Sequence, residues 1–338
     1  MILRPKPSLR HYAMLGGAPS TAPMATVPAW LRRAVPDAQS LAGNDVEDVA
    51  LAAGATIGAL DAVVRRQERW GGVWRQRLAL AAAAVTAKQA GRIEDESALR
   101  DAVLLTWPGD NVGPAGRMLV AWRRLAGTPA DKLLTEASIS AVLDDLGLAP
   151  SDEGMSDLTD DLRQLAASDG TVGIMTGAIA IAERHGFGRT LGAWLADALL
   201  AQRMGWVHAV PLLGADAVLG TSARPRRSAA NSVATSIGTN PERAKGLLAA
   251  QARAALRAID LSAELGRRAD RLLAVAPKLR AKAADIVVEK LLSDDAIVAS
   301  ENIAGMSDRG LRRLFDRLGE LGAVRELSGR PTFRIYGL

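Results

Sequence analysis

Residues 305–338 read GMSDRGLRRLFDRLGELGAVRELSGRPTFRIYGL. Ser307 stands where a helix N-cap belongs, just ahead of a periodic run. Leu311, Leu314, Phe315 and Leu318 fall at i, i+3, i+4 and i+7, one apolar face of a helix. Arg309, Arg312, Arg313 and Arg317 point away from that face. Gly319 and Gly322 end the helix. Val324 to Leu327 then reads as a short strand, Ser328-Gly329-Arg330 as a tight turn, and Thr332 to Tyr336 as a returning strand. A helix followed by a two-stranded ribbon predicts a winged helix-turn-helix. From Met306 onward seven Arg face four acids (Asp308, Asp316, Glu320, Glu326), a surplus of three positive charges. Such a surplus suits double-stranded DNA. Ser307, Arg309, Arg312, Arg313, Arg317, Arg330 and Arg334 are the candidate DNA-binding residues.

Working outward, the full chain of 338 residues is long enough for two or three domains. Hydrophobic residues make up 49% but aromatics only 4%, and abundant Ala, Leu and Arg favour helices over sheets. The formal charge is +5, which suits a polyanionic partner. With no Cys and only His11, His185 and His208, disulfides and thiolate metal sites are excluded, and we expect no metal and no cofactor. The first residues carry no apolar signal-peptide core, and the longest apolar runs, near 78–87 and 172–182, fall short of the ~20 residues a membrane span requires. A cytoplasmic protein with no membrane partner is expected.

Three regions are predicted. Residues 1–27, rich in Pro, Gly, Ser and Thr, form a poorly ordered tail. Residues 28–275 form an all-helical body, and 276–338 the winged helix domain. Within the body, Gly71-Gly72 breaks a helix over 46–69 from one over 74–89. Trp30, Trp70, Trp74, Trp107 and Trp122 are expected to staple helices together. The acidic stretch 128–160 reads as a linker. A buried helix over 173–183 meets the turn Arg184-His185-Gly186-Phe187-Gly188-Arg189, and a helix over 191–203 follows. Backbone N–H groups at such a turn can hold an anion, so His185, Gly186, Gly188 and Arg189 are a candidate anion-binding turn. A loop over 207–240 holds the basic run Ala223 to Ser228. The Arg- and Ala-rich helix to about Val275 suits an exposed connection.

The segment IAIAERHGFGRTLGAWLADALLAQRMG, in residues 157–206, resembles the core of the Fic (AMP-transferring) fold. That resemblance extends over about 70–338 and implies two buried helices around a phosphate-binding loop, with a C-terminal winged helix. The family motif is His-x-Phe-x-(Asp/Glu)-Gly-Asn-Gly-Arg-x-x-Arg. With His185 in the first place, Arg189 replaces the acid, and Ala193 and Ala196 replace both arginines. With Gly186 to Arg189 as Gly-Asn-Gly-Arg, Ile181 replaces the catalytic His. The resemblance therefore implies a catalytically degenerate Fic-like body. A second resemblance rests on WRQRLALAAAA, AGRIEDESALRDA, PGDNVGPAGR and the ending from Gly305. These strings look like an alphaproteobacterial family, domain of unknown function 1403, which implies no activity. The leading expectation is a DNA-binding regulatory protein whose body forms a homodimer or receives a signal. The alternatives are a divergent nucleotidyl (AMP) transferase using the His185–Arg189 turn, or a partner-binding scaffold in plasmid maintenance.

Overall fold

The computed structural model describes residues 27–107, 109–149, 152–167, 170–216, 241–281, 283–330 and 332–338. The predicted tail, apart from Val27, and the basic run at 223–228 lie outside the described residues. Among those described the chain is mainly helical, with twelve α-helices and one small sheet. Among the described residues, the only pairing ahead of that sheet is an isolated bridge between Pro129 and His208. No described helix is long and apolar enough to cross a membrane.

The centre of the body is α3 (Gly71–Gln89). It buries Val73, Trp74, Leu78, Leu80, Ala82 and Ala83 on more than one side, and it packs against α4 (Glu96–Leu104), α5 (Gly113–Gly127) and the 3₁₀ turn at Leu213–Ala215. Gly71 and Gly72 open this helix rather than merely breaking the one before it. Trp122 on α5 crosses to α3 and donates its indole N–H to the Thr86 hydroxyl at 2.9 Å. The ring lies so close over Gly214 that a Cβ there would stand 2.2 Å from it. The segment leading to Gly214 is held by the fully buried Asp197, whose carboxylate accepts from the N–H groups of Leu212 and Leu213. Burial pushes the Asp197 pKa well up, against the pull of those two donors.

Two long helices form a second layer. The 20 residues of α2 (Val46–Arg65) lie along the 35 of α10 (Pro241–Val275). Small residues allow the close approach: Ala52 and Ala53 on one, Ala249, Ala250, Ala254, Ala255 and Ala258 on the other, all buried. The expected exposed connection is thus a core helix, because alanine makes a face packable without marking it as apolar.

The expected linker over 128–160 instead contains α6 (Glu136–Leu146) and the start of α7 (Asp152–Ala166). Thr135 caps α6 by accepting from Ser138 N, Ile139, Val142 and Leu143 are buried, and Gly147 closes it at φ +72°. Next come α8 (Thr171–Arg184) and α9 (Gly188–Met204), matching the two predicted helices around the His185 turn. Their backbones nearly touch: a Cβ on Gly192 would stand 2.8 Å from Ile179 Cα.

The C-terminal part runs α11 (Ala284–Ser293), β1 (Ile297–Val298), α12 (Asp308–Glu320), β2 (Arg325–Glu326) and β3 (Ile335–Gly337). The sheet is antiparallel with order β1-β3-β2, pairing Ile297 with Tyr336 and Glu326 with Tyr336 from either side. The predicted two-stranded ribbon is therefore three-stranded. The added strand is only two residues long, too short for alternation to reveal, and it exists because β3 offers a second edge. Residues 299–304, the segment available for a supporting helix, form no α-helix.

Candidate nucleic-acid interface

The face of interest is built on α12. Ser307 caps it, accepting from Gly310 N at 3.2 Å. Leu311, Leu314, Phe315 and Leu318 are all buried, as their spacing requires. Phe315 stacks on Tyr336 of β3, with ring centroids 4.5 Å apart and planes inclined by 4°. That stack fixes the rotation of the helix about its axis. Arg309, Arg312, Arg313 and Arg317 are consequently all exposed. At 100° per residue they cover an arc of about 140° opposite the apolar stripe, and at 1.5 Å per residue they span about 12 Å.

Their electrostatics divide them. Arg309, Arg312 and Arg313 have no hydrogen-bond or ion-pair partner among the described residues. Arg317 meets Glu320 at 3.1 Å with both side chains largely in solvent, a contact worth little. At the β2–β3 end, Arg334 lies 3.7 Å from Glu326, whereas Arg330 is paired with Asp101 on α4. Arg330 thus ties the segment between β2 and β3 to α4. Between α12 and β3 lies a groove of about 400 Å3, bordered by Arg312, Asp316, Phe333, Arg334 and Tyr336. Phe333 is 66% exposed and sits at φ +54°, a conformation uncommon for a bulky residue. Sequence reading placed it in a strand, where its exposure and backbone are both invisible.

The module is anchored through charge. Asp295, just before β1, has no exposed side-chain surface and pairs with both Arg77 of α3 and Arg100 of α4, the latter at 2.6 Å. Arg77 also donates to the Asp295 and Leu338 main-chain oxygens, and Arg268 of α10 donates to Leu338 as well. Backbone packs as closely: a Cβ on Gly72 would meet Ser293 Cα at 2.7 Å, and one on Gly337 would meet the Asp295 oxygen at 2.8 Å. None of these anchoring residues carries a local sequence signal, since the partners lie as much as 261 residues apart.

The His185 turn is arranged differently. Gly186 and Gly188 take φ of +77° and +74°, which explains both glycines. His185 Nε2 lies 3.0 Å from Asp161 on α7, which also receives Arg184. Arg189 lies 3.3 Å from Glu183, which also receives Arg243 of α10 at 2.7 Å. The cations of this turn therefore each face a carboxylate, and the turn locks α7, α8, α9 and α10 together.

No curated protein matches this chain in sequence. A family model described as a protein of unknown function, DUF1403, matches residues 18–338, and the chain belongs to that family.

Proposed function

We propose that this is a DNA-binding regulatory protein that docks duplex DNA through its C-terminal module, with α12 facing the major groove and the β2–β3 wing beside it. The reading rests on one observation: Arg309, Arg312 and Arg313 stand exposed, with no ion pair among the described residues, on the outer face of a capped, rotationally fixed helix. Four arginines on this face stand against two acids, Asp316 and Glu320, a surplus of positive charge that a polyanion would offset. A stripe of about 12 Å suits a major groove about 12 Å wide. The order α11, β1, α12, β2, β3 with β1 beside β3 is compatible with a winged helix that lacks the helix between β1 and α12. Arg317 and Arg334 reinforce the face, while Arg330 serves the joint with the body.

The test is a titration of labelled duplex with the intact protein at several salt concentrations. Three phosphate contacts give log K against log salt a slope of about −2.7, from −0.9 per contact. Arg312→Ala with Arg313→Ala should flatten the slope and weaken binding, while Arg163→Ala, on the exposed face of α7, should leave it unchanged. No binding at low salt, or full binding by the double variant, refutes the reading.

A further inference from the structure

A cleft of about 590 Å3 opens where the end of α2, the start of α3 and the segment after α9 meet. The volume lies in the range of small-molecule sites, about 300–1,000 Å3. Trp70, Trp74 and Trp206 line it, all largely buried, together with Val63, Val64 and Val210. Two of the indoles are fixed by hydrogen bonds, Trp74 to the Ala258 carbonyl and Trp206 to Asp61. The walls are therefore flat, apolar and preorganised.

The charged lining consists of three arginines against one acid, Glu68. Two arginines are already compensated, Arg65 by Asp61 at 2.7 Å and Arg69 by Glu289 of α11. Arg75 is not. It is half-buried, its Nε donates to the Ala126 carbonyl at 3.0 Å, and no carboxylate pairs with it among the described residues. Its Nη1 lies 3.4 Å from where a Cβ on Gly71 would be, so the guanidinium crosses a glycine of the cleft. A guanidinium carries five N–H donors, and among the described residues only Nε has an acceptor. Burial accordingly draws the Arg75 pKa down. His208 stands beside it in the lining, its own pKa lowered first by burial and then by the Arg75 charge.

We propose that this cleft binds a small organic carboxylate with a flat apolar body, the carboxylate paired with Arg75 and the body held against the tryptophan walls. The planar fork of a guanidinium matches a carboxylate with two parallel hydrogen bonds, and the half-buried Arg75 gains an ion-pair partner. This inference does not depend on DNA binding.

Calorimetric titration of the full chain with benzoate, phenylacetate and 1-naphthoate tests it, with 1-naphthamide as the uncharged counterpart and phenyl phosphate as the alternative anion. At least one carboxylate should bind saturably, and more tightly than either the amide or the phosphate. Arg75→Gln should weaken the carboxylate by about tenfold or more, the worth of a charged hydrogen bond, and leave the amide unchanged. Val207→Trp, a substitution at an exposed rim position, should block binding with the fold intact by circular dichroism. Three results overturn the proposal: no saturable binding of any carboxylate up to about 10 mM, equal affinity in folded Arg75→Gln, or phenyl phosphate binding more tightly than every carboxylate. Should Arg75→Gln fail to fold, undiminished binding by Val207→Trp overturns it.

Discussion

Replacing Asp295 by Ala removes the carboxylate that Arg77 and Arg100 share. The Asp295 side chain has no exposed surface, and those of Arg77 and Arg100 are only 13% and 8% exposed. Solvent therefore cannot take over its role, as it would at a surface pair. Breaking a buried ion pair by deleting one partner costs about 3–5 kcal/mol, because the other charge stays buried and uncompensated. Both guanidiniums lose this counter-charge, and Glu96 is a further carboxylate near them, so a loss within that range is expected. Typical stabilities are roughly 5–15 kcal/mol, which makes this a large fraction. The assay is denaturant unfolding followed by circular dichroism, with free energy from linear extrapolation. Asp295→Asn keeps the shape and one acceptor, and should fall between wild type and Ala. Asp295→Leu combined with Arg100→Met should cost less than Asp295→Leu alone, since an apolar replacement of the pair strands one fewer charge. A loss under about 1 kcal/mol for Asp295→Ala, the scale of an exposed pair, would refute the reasoning.

Gly192→Ala should destabilise by about 1–3 kcal/mol, because its Cβ would meet the Ile179 main chain at 2.8 Å rather than a flexible side-chain end; thermal unfolding reads this, and an unchanged midpoint contradicts the packing. Ser307→Ala should cost about 0.5–2 kcal/mol by deleting the α12 cap, and Ser307→Asp should restore most of it in the same assay. Asp197 has its folded pKa raised above the ordinary 3.8, so its contribution is complete below that value and is lost as pH climbs toward the folded one. Urea titrations from pH 4 to about 7 should therefore show wild type losing stability relative to Asp197→Asn, and a wild type that gains instead would exclude a raised pKa.

What could be read from the sequence was local. The cap at Ser307 and the period of Leu311, Leu314, Phe315 and Leu318 lie within a dozen residues, and they place α12 and its arginine face correctly. The glycine turn between α8 and α9 was equally legible. Partners distant in sequence were not. The Ala-rich faces of α2 and α10 look alike whether exposed or packed, and only their meeting across some 200 residues distinguishes the cases. β1 is a strand only because β3 lies beside it. Arg330 reads as a wing cation until Asp101 appears next to it. Trp30 and Trp107, expected to staple helices, are 52% and 80% exposed, while Trp194 and Trp206 are buried. The Arg75 cleft left no trace, since Gly71 and Gly72 read as punctuation.

The placement of the seven tryptophans makes the protein its own optical probe. Trp70, Trp74, Trp122, Trp194 and Trp206 are shielded from water, and only Trp30 and Trp107 are open to it. A soluble quencher such as iodide should therefore extinguish Trp30 and Trp107 first and leave Trp122 and Trp194, away from the cleft, untouched until the chain unfolds. The shielded indoles also report on different places. Trp122 and Trp194 sit in the interior of the helical body, with acceptors on α3 and α5. Trp206 alone of the five donates to a carboxylate, that of Asp61, and shares the cleft with Trp70 and Trp74. Emission from the cleft and from the interior can thus be separated by single Trp→Phe replacements, giving two colours of readout without any attached dye.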